Sequence, residues 1–274
     1  MTMTNHTGLT FLQAMDRPAL IAMIHVGALP GTPHSNQTIV ELAESAVGEA
    51  KVLADGGVDA IMLENMHDMP FLNRRVGPEI VAAMTATCSA VRRAVSLPLG
   101  VQVLAGANRQ AVAVAQASGC QFVRCEGFVF SHVADEGLMP EADAGPLLRY
   151  RRMIDAEAIA ILADVKKKHS SHAITADVDL AETAKAAAWF GADAIVVTGI
   201  ATGEPTRPAD LAAVANAVDR PVFVGSGVTP KNISALAPNA AAFIVGSYLK
   251  HDGWWQNKPD PNRVAEMVEA VHQC

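Results

Sequence analysis

Aromatic side chains are few in this chain, with three Trp, two Tyr and eight Phe among 274 residues. Its core must rest on Ala, Val and Ile, which suits helices packed closely on a parallel sheet. Positive charge is also short. Twenty-one Lys and Arg face 28 Asp and Glu, a formal net charge of −7. That balance excludes a sequence-independent nucleic-acid binder, which needs a basic face, and disfavours anionic membrane surfaces. Only four cysteines occur (Cys88, Cys120, Cys125 and Cys274), with no C-x-x-C pair and no metal-finger spacing. They read as reduced thiols of a cytoplasmic protein, packed as small hydrophobes. Met1 to Thr10 has neither a basic nor an apolar stretch, so no secretory signal is expected. No uninterrupted apolar run reaches the ~18 residues that cross a bilayer, and membrane insertion is not expected.

What the chain does have is a rhythm. Half of it is hydrophobic, and short apolar runs alternate with helical patterns along its whole length. The runs predict strands at 19–25, 59–64, 98–103, 121–126, 159–165, 193–198, 221–225 and 241–246. Helices are expected near 38–55, 77–95, 107–118, 145–157, 177–190, 208–218, 230–236 and 261–272. Strict β-α alternation leaves a closed barrel or an open doubly wound sheet.

Three observations favour a single (β/α)8 TIM barrel over 18–274, preceded by an N-terminal extension, 1–17. There are eight units, and the length is close to the ~250 residues such a barrel needs. No G-x-G-x-x-G follows the first strand. Even strands open on an echo: Gly57-Val58-Asp59, Gly119-Cys120-Gln121 and Gly191-Ala192-Asp193, with Pro238-Asn239-Ala240-Ala241 a degenerate copy. In each, a left-handed Gly is expected to end a helix, and a short polar residue precedes a buried strand. The longest connections follow strands 1, 2, 4, 5 and 8, and all but the last are expected on the catalytic face.

Glycine-bearing turns close strands 7 and 8. Gly225-Ser226-Gly227 precedes a helix starting near Lys231, and Gly246-Ser247 follows strand 8. Such turns bring backbone N–H groups onto a phosphate, and a helix N-terminus adds partial positive charge. Either motif alone would serve as a tight turn; both together point to a phosphorylated small molecule. Thr198-Gly199-Ile200-Ala201-Thr202-Gly203, after strand 6, adds hydroxyls and flexible backbone beside them.

Ionisable and polar residues crowd the other strand ends: His25, Glu64-Asn65, Gln102, Arg124-Cys125-Glu126, Asp164-Val165-Lys166 and Lys168-His169. Alternation sets Arg124 beside Glu126, and Asp164 beside Lys166. His25, Glu64, Arg124, Glu126, Asp164, Lys168 and His169 are therefore the candidate catalytic groups, with Asn65, Gln102 and Thr198 as substrate contacts. Plainer roles stand beside these: Glu64 or Glu126 as a structural partner of Arg124, and His25 as a hydrogen-bonded core residue. His67-Asp68, His132-Asp135-Glu136 and His169-His172 are either solvated loop residues or, with Glu64 and Asp164, ligands of a divalent metal. The run Lys166-Lys167-Lys168 reads as a solvated face, unless Lys166 or Lys168 binds an anion or acts as a desolvated amine nucleophile.

Several of these segments resemble the BtpA/SgcQ family. They are Ile21 to Pro33, Asp59 to Asn65 with Asp68 to Phe71, Leu147 to Arg151, Asp164-Val165 with Lys168-His169, Val197 to Gly203, and Val224 to Pro230. The resemblance spans about residues 18 to 250 and implies a ribulose-phosphate-binding type of barrel. The family's namesake is a photosystem I biogenesis factor, and other members accompany sugar uptake, so membership does not specify a reaction. One departure stands out: the family pattern Asp-Val-x-Val-Lys-His carries Lys167 here at its second Val.

Two functions follow as expectations. The first is an isomerase, lyase or hydrolase acting on a small phosphorylated metabolite. The second is a non-enzymatic assembly factor that uses the barrel as a scaffold. A glycosidase fits less well, because strand 7 ends in Gly-Ser-Gly and not in a carboxylate. Trp254-Trp255 is read as an interaction patch, and a homo-oligomer is expected.

Overall fold

The structure, a computed structural model, describes residues 7–199 and 205–274. The first half of the chain runs β1 (Ala19–His25), α1 (Ile39–Asp55), β2 (Ala60–Glu64), α2 (Pro78–Ala94), β3 (Leu99–Gln102), α3 (Asn108–Ser118) and β4 (Phe122–Cys125). A hairpin follows, β5 (His132–Ala134) and β6 (Gly137–Met139), then α4 (Ala144–Met153). The second half runs β7 (Ala160–Val165), β8 (Ser170–Ser171), α5 (Leu180–Trp189), β9 (Ala194–Val197), α6 (Pro208–Ala215), β10 (Val222–Val224), α7 (Ile233–Leu236), β11 (Ala242–Val245) and α8 (Pro261–His272).

Eight of the strands close into a parallel barrel in the order β1-β11-β10-β9-β7-β4-β3-β2, the TIM barrel expected from the alternation. The remaining three form a small antiparallel sheet, β6-β5-β8, which the apolar rhythm did not reveal. These strands are two or three residues long, too short to carry a period. The seventh helix is also shorter than expected, a single turn that begins at Ile233 and not near 230, because Asn232 closes a turn onto Gly227 and Thr229 ahead of it.

Alternation along each strand divides the barrel interior into levels. Ile21, Met23, Ala60, Met62, Phe122, Leu162, Val196, Phe223 and Ile244 fill its lower part. Gly100 has no side chain because the Phe122 ring occupies the space; a Cβ there would lie 2.0 Å from the ring. Below them, a 3-10 segment at Thr7–Ala14 closes the floor, with Leu9, Phe11 and Leu12 packed on the interior cluster. The next inward level, at the C-terminal ends, is polar.

The internal echo has a structural meaning. Gly57, Gly119 and Gly191 all take positive φ, as the helix ends require. The side chains of Asp59, Gln121 and Asp193 each accept the backbone N–H of the preceding barrel strand, from Leu20, Leu99 and Ile161, at 2.7–2.8 Å. The fourth copy has Ala241 and lacks this bond. Asp193 is also the partner of the buried Arg151, at 2.9 Å. Removing it strands a charge as well as a donor, so Asp193→Ala should cost about 3–5 kcal/mol of stability. Gln121→Ala should cost only about 1–3 kcal/mol. Urea unfolding of the two variants checks the order, and equal losses would show that Arg151 draws nothing from the pair.

Candidate active site at the barrel mouth

A cavity of about 880 Å³ opens at the C-terminal end of the barrel. Its floor is the polar level. Strand register sets His25 beside Glu64 and Glu64 beside Gln102. Arg124, Glu126, Lys168 and His169 also line it, together with Gly225, Ser226, Gly227, Gly246 and Ser247. Three sequence candidates do not. Asn65 spends its amide inside the protein, donating to Asp68 Oδ2 at 2.8 Å and accepting from the Leu104 N–H at 2.7 Å. Asp164 lies beneath the cavity, on Arg124. Thr198 stands beside Gly225, its methyl 3.2 Å from where a Cβ would be. Of the segment after strand 6, Ile200 to Gly203 lie outside the described residues.

The centre of the mouth is an ion pair. Arg124 donates Nε–H to Asp164 Oδ1 at 2.9 Å and Nη2–H to Oδ2 at 3.0 Å, and both side chains are almost wholly buried. Burial pushes the Asp164 carboxyl up while Arg124 pulls it back; the two-pronged geometry is that of a carboxylate and a guanidinium. Arg124 reaches across to β10, where a Cβ on Gly225 would lie 3.1 Å from Nη2. With both oxygens of Asp164 on Arg124, it is not free to share a metal with Glu64. No group of three His, Cys, Asp or Glu suited to a metal gathers among the described residues.

A second buried pair involves Lys167, whose Nζ lies 3.3 Å from Glu126 and 3.7 Å from Glu136. This ties the end of β4 to the β5–β6 turn, so Lys167 is a buried partner and not part of a solvated run. Lys166 does not pair with Asp164. Its φ of 47° breaks the alternation, and its Nζ donates to the Thr175 carbonyl at 3.3 Å.

Glu64, Lys168 and His25 remain. Burial raises the Glu64 pKa, with Arg124 and Lys168 opposing. Burial and then the charge of Arg124 lower that of Lys168. The Lys168 ammonium has no hydrogen-bond or ion-pair partner among the described residues. His25 is lowered to about 3 by burial and then by Lys250. Its Nδ1–H donates to the Trp255 carbonyl at 2.8 Å, so Nε2 is a bare acceptor, 3.9 Å from Glu64 Oε2. Nε2 also lies 3.1 Å from where a Cβ on Gly246 would be. The two glycines thus admit the Arg124 and His25 side chains.

Two contributors escaped the sequence reading. Arg263, from α8, lines the glycine corner; its Nε–H donates to the Tyr248 carbonyl at 2.6 Å. No carboxylate pairs with it among the described residues. The connection after the eighth strand, expected away from the catalytic face, returns over it. Trp255 lines the cavity, 4.9 Å from the His67 ring and 5.8 Å from that of His25. Lys250, buried against Glu49 at 2.6 Å, anchors that return. Trp254 alone faces outward. The other loop candidates play internal parts. Asp68 accepts the Leu29 N–H at 2.7 Å, and His172 donates to the Lys167 carbonyl at 3.0 Å beside the His132 ring.

In the unfolded chain His25 takes up a proton as pH falls through about 6.5, whereas in the folded protein it does so only near 3. Its contribution to stability is present above 6.5 and lost as pH falls toward 3. His25→Asn, which keeps a donor for Trp255, should make the acid limb of a Tm-versus-pH curve shallower by about one proton; an unchanged slope would contradict the assignment. Lys168, with its lowered pKa, should form an imine with pyridoxal 5′-phosphate ahead of surface lysines. Borohydride trapping and peptide mapping read this out, and labelling spread evenly over exposed lysines would refute it.

The BtpA family profile matches residues 16–273. An uncharacterized mitochondrial protein of Caenorhabditis elegans is 42% identical over 93% of this chain and 94% of its own. The photosystem I biogenesis protein BtpA of Synechocystis is 37% identical over 92% of this chain and 87% of its own. Among solved structures, thiamine phosphate pyrophosphorylase from Pyrococcus furiosus superposes with a TM-score of 0.56 at 14% identity, covering 93% of this chain and 96% of that one. Likeness at that identity concerns the fold alone.

Proposed function

The chain belongs to the BtpA family, and on that footing we propose that it is an isomerase, lyase or hydrolase acting on a small phosphorylated metabolite. One observation carries this reading: a glycine-rich corner and Arg263 share one cavity with Glu64 and Lys168, and among the described residues neither Arg263 nor Lys168 has a carboxylate partner within ion-pair distance. The phosphate sits against the backbone of Gly225 to Gly227, Gly246 and Ser247, with Arg263 supplying charge. Asn232 braces this corner, donating to the Gly227 carbonyl at 2.8 Å and accepting the Thr229 N–H at 2.9 Å. The single turn of α7 adds little dipole, so backbone and Arg263 do the holding.

At the reacting end, Glu64 with its raised pKa moves a proton, and Lys168 stabilises negative charge as it develops. Neutral His25 offers an acceptor at Nε2. Glu126 and His169 stand at the rim, and the Arg124–Asp164 pair orients its neighbours. The fold neighbour thiamine phosphate pyrophosphorylase has a phosphorylated compound in its name, which agrees with the reading at the level of fold.

Association into a homo-oligomer belongs to the same proposal, with exposed Trp254 and Trp189 as side chains that such contact would cover. So does a cytoplasmic setting, in keeping with thiols that are all unpaired. No described helix is long and apolar enough to cross a membrane. The scaffold alternative draws on the name of the Synechocystis relative and on the exposed Leu72, Val133 and Leu138.

Titration calorimetry with inorganic phosphate and a panel of sugar phosphates separates the two. Binding should be seen at millimolar concentration or below, and Gly227→Asp should abolish it, because the new carboxylate repels the phosphate and strains a residue at φ 64°. A wild-type protein that binds none of them would favour the scaffold.

A further inference from the structure

The cavity holds more than a phosphate and an acid–base pair need. At about 880 Å³ it lies in the upper part of the ~300–1,000 Å³ range that encloses a drug-sized ligand. A three-carbon phosphate would leave most of it to water.

Its two sides differ in chemistry. One is the glycine corner on β10 and β11. Facing it across the mouth are β3 and the loop after β2, since β3 is the fourth strand from β10 in either direction around the barrel. Eight strands ~4.8 Å apart and tilted ~36° place opposite backbones on the order of 15 Å apart. That far side is an apolar wall of Met66, Met69, Pro70, Phe71 and Leu104, with Trp255 at its edge. Met66 and Phe71 are backed by Leu104, Ala105, Ala134 and Met139 of the underlying cluster, so the wall is supported and not a loose loop. Flat aromatic and polarizable thioether surfaces of this kind receive the face of a ring.

At the foot of the wall is Gln102. It is 2% exposed and lines the cavity, and its Oε1 is buried without a hydrogen-bond partner. No partner engages its Nε2 among the described residues either. A buried carboxamide without hydrogen-bond partners is destabilising, and a ligand that engages its accessible Nε2–H relieves part of that cost. Oε1 is sealed from the cavity, so the contact open to a ligand is the Nε2–H donor, and its complement is an in-plane acceptor, the carbonyl or ring nitrogen on the edge of a nucleobase-like heterocycle. An acyl chain would satisfy the wall but leave Gln102 unpaired.

The geometry points to a substrate that carries a planar, amide-edged heterocycle at the end remote from its phosphate, in the manner of a ribonucleotide. The ring packs on Met66, Met69 and Phe71 and pairs with Gln102, while the sugar crosses the mouth over Glu64, Lys168 and Arg124. This inference rests on the phosphate-site reading and narrows it.

Calorimetry with uridine 5′-monophosphate, adenosine 5′-monophosphate and ribose 5-phosphate tests it. At least one nucleotide should bind ten-fold or more tightly than ribose 5-phosphate. Gln102→Met, similar in volume but without the amide, should bring that ratio close to one, and the loop variant Phe71→Ala should lower it several-fold. Ribose 5-phosphate bound within ten-fold of both nucleotides would overturn the ring site and leave the phosphate site standing. Absence of all binding would overturn both.

Discussion

The mouth of this barrel is organised by the Arg124–Asp164 pair. Two opposite charges in a space this dry are stable only together and only in good geometry, and two in-line bonds from β4 to β7 supply it. Their neighbours take their properties from that arrangement. Gly225 has no side chain because Val196, the guanidinium and Thr198 together crowd the place of a Cβ, at 2.7, 3.1 and 3.2 Å. Lys168 is held beside a fixed positive charge, which lowers its pKa beyond what burial does alone. Asp164 is spent on Arg124, so Glu64 is left as the carboxyl free to exchange a proton at the floor of the cavity.

The apolar levels beneath make this possible. Phe122 and Phe223 fill the barrel, and the Thr7–Ala14 segment packs against it from below, so the polar level opens upward to the mouth. Low local polarity is why burial is the leading cause of the shifts at His25, Glu64, Asp164 and Lys168 alike. It keeps the imidazole of His25 neutral, raises the pKa of Glu64 and lowers that of Lys168, shifts of the kind found where groups exchange protons.

Lys167 shows how a buried charge is accommodated. Two carboxylates receive it, Glu126 on the barrel and Glu136 on the hairpin. The small sheet β6-β5-β8 is thereby joined to the cavity rim. The outer face of that sheet carries exposed Val133 and Leu138, paired directly across its strands.

Much of this was legible from the order of residues alone. Parallel strands buried on both faces write themselves as apolar runs, so all eight barrel strands and their sequence could be read directly. Period-two alternation likewise announced that Arg124 and Glu126 share a side, and glycine after strands 7 and 8 marked the corner. Local rules stop where the chain leaves regular geometry. Lys166 breaks the alternation with a positive φ, and the hairpin is too short to show a period. Which charges neutralise one another, Arg124 with Asp164 and Lys167 with Glu126, depends on distances across the barrel between residues up to 41 positions apart. Arg263 and Trp255 come from after the last strand, and only barrel closure, which sets β11 beside β1, brings them over the mouth. Residue order alone specifies the barrel and the groups at its rim; which of them are paired, which stand open and how large a ligand fits between them follow from closure, because those distances run between strands far apart in the chain.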